Sequence, residues 1–208
     1  KINLLKDVQN SRLVFTSPGS GSLNFNDNAP SLLIGVPIHL RFELTKVFCE
    51  YMFTYLVPAL VWKGFDTKVV LCGELDDLKN LEHLQSNERA ALSYTPNNLG
   101  DKKNAMMEYA KQTQVDYLVW IDSDDFFHPD TITTLIDVAK FNGYWSSVKP
   151  FCFFNAENTT FNLFEGYPDG HTLGGWGMGS GRVFTHKLLH NIDCVFQQGN
   201  KGMDASVK

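Results

Sequence analysis

No two of the four cysteines stand close enough to form a C-x-x-C pair. Cys49, Cys72, Cys152 and Cys194 are spread along the chain, which argues against a zinc knuckle or a disulfide scaffold and predicts reduced thiols in a cytoplasmic compartment. No basic run exceeds Lys102-Lys103, and the formal net charge is −5, so nothing here tracks a nucleic-acid backbone. No segment reads as a transmembrane helix, because the longest apolar stretch, Val47 to Trp62, contains Glu50 and Pro58. No signal peptide is visible at the start. Neither G-x-G-x-x-G nor G-K-[ST] occurs, which excludes a P-loop. There is no internal repeat. The start without Met and the abrupt end at Ser206-Val207-Lys208 predict an excised domain of a longer chain.

What is present is a chain of 208 residues, enough for one large domain with a substantial core. Sixteen Phe and seven Tyr fill such a core, and a few of them can offer a stacking surface to a base or a sugar. Residues 1–30 are polar and read as an irregular N-terminal arm. From residue 31, short apolar runs alternate with helical periodicity. Leu32 to Val36 is a strand. Leu40 to Leu56 repeats apolar residues at steps of three and four and predicts an amphipathic helix that ends or kinks near Pro58. Thr67 to Cys72 is a second strand, Leu75 to Leu84 a short helix, Ala90 to Tyr94 a weaker strand and Lys102 to Gln112 a helix. Tyr117 to Ile121 is the strongest strand of all, and a helix opens at Pro129.

This alternation predicts an α/β fold of a single domain: a Rossmann-like mixed sheet, mostly parallel and flanked by helices. Residues 31–141 form the nucleotide-binding half. Residues 142–208 form a more irregular half for the acceptor and the donor sugar, with longer strands at Tyr144 to Phe154 and Thr160 to Phe164 and a helix at Thr185 to His190. In parallel sheets ligands bind beyond the C-terminal strand ends, so the residues that leave each strand are the candidates for chemistry.

Asp122, Asp124 and Asp125 come directly after the most apolar strand. In extended chain Asp122 and Asp124 face the same side. Two carboxylates so close repel each other, and a divalent cation resolves the conflict. Mg²⁺ takes one or two carboxylates plus phosphate oxygens and waters, and Mn²⁺ accepts the same ligands. A cation held on a diphosphate stabilises the charge that develops when a sugar–phosphate bond breaks. The alternative is a solvated turn that caps the next helix.

Val119 to Asp125, with Pro129 four residues on, resembles the signature of nucleotide-sugar glycosyltransferases of the GT-A fold, with a likeness to the domains encoded by large algal viruses. The resemblance spans roughly residues 31–204. It implies a role for several positions, and the host cytoplasm as location for a viral protein. Asp124 is the principal ligand of Mn²⁺ or Mg²⁺, Asp122 contacts the metal or the ribose with Asp125 in support, and Asp122 and Ser123 meet the donor diphosphate. The loop after the first strand, with Pro37, His39 and Arg41, touches the nucleoside. The acidic residue that contacts the base is shifted here to Glu74, in Leu71-Cys72-Gly73-Glu74. Lys103 or Lys102, after Asn97-Asn98-Leu99-Gly100, reaches a phosphate or the nucleoside; the alternative is a solvated helix start. The glycine-rich stretch Gly174 to Gly181, with Gly175, Trp176 and the preceding His171, lines the sugar pocket, where glycines admit close backbone approach; the alternative is a plain loop. Asp204 is the general base of an inverting reaction, or else a surface residue of the tail. His186 and His190, spaced i and i+4, lack the Glu of H-E-x-x-H and read as ordinary helix residues.

The expected activity is hexosyl transfer from a nucleoside diphosphate sugar, a UDP-sugar by preference, to a glycan hydroxyl. The rivals are a non-catalytic module that binds a nucleotide sugar or a glycan, and a phosphohydrolase that uses D-x-D.

Overall fold

The computed structural model describes residues 23–95, 98–143, 145–148, 150–155, 157–165 and 179–191. Strand β1 (Ser31–Pro37) is buried at every position, as expected of a central strand covered on both faces. Helix α1 (Phe42–Tyr51) continues through a π turn (Met52–Leu56) into α2 (Val57–Trp62). The predicted end near Pro58 is therefore corrected: the helix runs on to Trp62. Pro58 lacks the N–H that an α turn needs, and the π turn immediately before it, with Val57 N–H on the Met52 carbonyl, resets the hydrogen-bond register. By length and composition, Phe42–Trp62 is apolar enough to cross a membrane. In the fold, its Phe48, Met52, Leu56 and Leu60, four residues apart, are fully buried in the core.

Next come β2 (Asp66–Gly73), α3 (Leu75–Lys79), a 3-10 turn (Glu82–Ser86) and β3 (Ala90–Tyr94). Helix α4 (Leu99–Gln112) starts at Asn98, whose side chain accepts the Asp101 N–H at 2.8 Å. After β4 (Tyr117–Trp120), α5 (Pro129–Asn142) has Pro129 in its first turn and ends on Gly143 at φ 77, a stop that favours glycine.

The second half departs from expectation. The run from Tyr144 to Phe154 is not one strand. It divides into β5 (Trp145–Ser146), on the edge of the main sheet, and β6 (Phe151–Asn155), which pairs with β7 (Thr160–Phe164) in a separate hairpin. Pro150, between the two, lacks the N–H a continuous ladder requires. A further strand, β8 (Arg182–Thr185), leads into α6 (His186–Asn191). Its four residues are too few to show a period.

The main sheet has the order β3-β2-β1-β4-β8-β5. Its first four strands are parallel; β8 is antiparallel to β4 and to β5. It is thus a mixed, mostly parallel sheet with helices on its faces. One face packs Leu32, Ile34, Leu71 and Val119 with α1, α2 and α5; the other packs Leu33, Val70 and Trp120 with α4 and Phe184. Each such fully buried aliphatic side chain contributes about 1.5–3 kcal/mol. Gly35 lets α4 sit close on β1: a Cβ there would stand 2.6 Å from the Met106 sulfur.

Candidate active site

Chain order reverses between β1 and β4, because β1 proceeds to β2 on one side and β4 joins it on the other. Such a switch point opens a crevice at the C-terminal strand ends. The loop 38–41 leaves β1 there, and Asp122 to Asp125 leave β4 beside it. Ile121 N–H donates to the Gly35 carbonyl at 3.0 Å, so the two strand ends stay joined.

The acidic segment is a tight turn, with Asp125 N–H on the Asp122 carbonyl at 3.0 Å. The expectation of extended chain at Asp122 and Asp124 is corrected: the segment is a turn, so strand alternation does not govern the direction of these side chains. Asp124 pairs with the Arg41 guanidinium across the crevice, both side chains being substantially exposed, at 40% and 58%. Asp122 donates its N–H to Ser180 Oγ at 3.0 Å. The Asp125 carboxyl is pushed above the usual carboxylate range, first by burial; a hydrogen bond from Ser180 and the charge of Arg41 pull it back, while Asp124 adds to the rise. Ser123 is buried within the turn.

The turn is pinned from two directions. From α1, Tyr51 donates its hydroxyl to the Phe127 carbonyl. The Phe126 ring stands edge-on to Tyr51 at 5.0 Å and to Phe48 at 5.8 Å, contacts that contribute about 0.5–1.5 kcal/mol each beyond area burial. From the other side come Ser180 and Gly181. Gly181 N–H donates to the Trp120 carbonyl at 2.6 Å. Gly181 has φ 75, and a Cβ on it would stand 2.6 Å from the Phe127 ring, so this position requires glycine.

A family model for glycosyl transferase family 2 matches residues 75–196, which is 122 of the 208 residues. The chain belongs to glycosyl transferase family 2. It is a nucleotide-sugar transferase of the GT-A fold. Among solved structures, it is similar to S. aureus TarS 1-349, with 16% identity and a TM-score of 0.51 over 84% of this chain and 52% of that one. It thus spans about half of that structure's length. It is also similar to CMP:2-keto-3-deoxy-manno-octonic acid synthetase complexed with CTP, with 9% identity and a TM-score of 0.49 over 78% of this chain and 77% of that one. No curated protein matches.

In this transferase Pro37 closes β1 opposite Cys72, and His39 and Arg41 lie exposed on the loop beyond it. Glu74 is half-buried just before α3. Neither Lys102 nor Lys103 of α4 is a solvated helix start; both are 2% exposed. The Lys103 ammonium lies 5.1 Å from the Trp120 ring centroid. Lys102 Nζ donates to the Ile38 carbonyl at 2.6 Å. Burial holds this ammonium below the usual lysine range, and the carboxylates of Asp77 and Glu74 act the other way.

His171, Gly175, Trp176 and Asp204 lie outside the described residues. His186 and His190 stack at 4.1 Å on exposed positions of α6, and His186 N–H donates to the Asp116 carbonyl, at the opposite end of β4 from the acidic turn. Sequence reasoning missed Ser180. A serine between glycines carries little signal, and nothing along the chain joins it to Asp122, 58 residues away.

Proposed function

We propose that this transferase moves a hexosyl group from a UDP-sugar to a glycan hydroxyl, with inversion, and that Asp122 and Asp124 hold Mn²⁺ or Mg²⁺ for the purpose. One observation carries the reading: the acidic turn faces the loop after β1 at the switch point, and Asp124 there already pairs with a cationic group, Arg41. A cation suits that place. Carboxylate oxygens are the hard donors these metals take, and a site of one or two carboxylates is completed by phosphates and water.

When bound, the metal would neutralise charge developing on the leaving diphosphate. The chain's own residues do the rest. Pro37, His39 and Glu74 would bound the nucleoside. Arg41, released from Asp124, would meet the diphosphate, and Lys103 would add positive charge from the floor. Ser123 would approach the diphosphate through the turn, while His171, Gly175 and Trp176 would border the sugar. The acceptor oxygen bonds to the anomeric carbon as the bond from that carbon to the phosphate oxygen breaks. Asp204 takes the hydroxyl proton, and UDP leaves with the bonding pair.

The test is Asp124→Ala, with Mn²⁺-dependent UDP binding by calorimetry and transfer from a UDP-sugar as readouts. Metal-dependent binding should vanish, and transfer should fall on the order of 10²–10³-fold, the range for removing one group that stabilises transition-state charge. Binding and turnover that survive the change would refute the site.

A further inference from the structure

Lys102 carries charge where charge is costly. An apolar side chain of similar length would fill the same volume without the desolvation penalty. The ammonium is therefore best explained by what it holds. It holds the Ile38 carbonyl, 2.6 Å away, at the first turn of the loop between β1 and α1. The Ile38 N–H is itself bonded to the Cys72 carbonyl at 2.7 Å. Two residues on, the Leu40 N–H donates to the Asp77 carboxylate at 3.0 Å. Leu40 sits at φ 50, a left-handed conformation that leucine avoids. Such conformations persist where the surroundings over-determine them. Two helices do so here: α4 through Lys102 and α3 through Asp77. Between and after the held residues stand His39 and Arg41, both exposed, the latter reaching Asp124.

We propose that Lys102 is a positioning residue for the donor nucleotide, its buried ammonium and the Asp77 carboxylate together clamping the loop that presents His39 and Arg41. This rests on the reading of that loop as the nucleoside side of the site. Lys102 touches neither phosphate nor sugar in this role. It acts by lowering the conformational freedom of the loop before the ligand arrives, which strengthens ground-state binding more than it speeds the chemical step.

Lys102→Met and Asp77→Ala separate this from a structural role. UDP binding in Mn²⁺, hydrogen exchange at the Leu40 amide, and kcat and KM for a UDP-sugar are measured for both and for the parent chain. Each variant should speed Leu40 exchange and weaken UDP binding about tenfold, the loss of one charge-assisted hydrogen bond, with kcat at saturating donor within about twofold of the parent. Asp77→Ala carries the test alone if Lys102→Met does not fold. Faster Leu40 exchange with unchanged UDP affinity would overturn the clamp, as would a lower kcat at unchanged KM. A parent chain that binds no UDP would instead remove the functional reading beneath it.

Discussion

Every residue of β1 is buried, whereas in the β6–β7 hairpin, whose strands hold five Phe and one Leu, only Phe151 and Phe164 are even partly shielded. The difference does not lie in composition. Strand β1 has a partner on each edge and helices on both faces. The hairpin, among the described residues, has its own second strand and little else. Burial is thus a property of position in the sheet, and apolar content alone does not make the hairpin part of the core. An isolated two-stranded hairpin is only marginally stable in water, so among the described residues its aromatic surface has little support from the rest of the fold.

Truncating one Phe of the core that covers β1 and one of the hairpin puts this contrast to its most severe test. Phe48→Ala, from the buried face of α1, should cost about 3–5 kcal/mol in urea unfolding. Phe161→Ala, 73% exposed on the hairpin, should stay within about 0.5 kcal/mol. Comparable losses would mean that the hairpin face is covered in solution.

The two halves of the chain are joined along the β4–β8 ladder, and Ser180-Gly181 extends that seam to the acidic turn, where the next two changes probe it. Gly181→Ala forces a Cβ toward the Phe127 ring at a left-handed φ, and should cost roughly 2–4 kcal/mol, read as a fall in melting temperature. Ser180→Ala removes the acceptor of the Asp122 N–H and a donor to Asp125. It should cost about 1–2 kcal/mol and lower Mn²⁺-dependent UDP affinity along with stability. A Ser180→Ala protein with both quantities unchanged would show that the turn is held from α1 alone.

Much of the first half is legible in the sequence. The apolar runs around Ile34, Val69 and Val119 announce strands buried on both faces, and the acidic triplet after Ile121 announces a candidate site at a strand end. The Pro58 signal is half right: the helix does not end there, but its regular hydrogen bonding gives way to a π turn just before it, which a local rule about a missing N–H does not specify. Lys102 is ambiguous in sequence for a related reason: whether a lysine at a helix start meets water or a carbonyl depends on what packs over it.

Local order alone dictates that strands and helices alternate, which residues line the faces of the parallel strands, and that carboxylates cluster at one strand end. Those properties depend on period and on near neighbours. The pairing of Asp124 with Arg41, the closure of Ser180 on Asp122 and the grip of Lys102 on Ile38 emerge only when the chain is folded. Each joins residues separated by 58 or more positions. Such contacts arise where strand order and register bring distant segments together, and no local pattern encodes that distance.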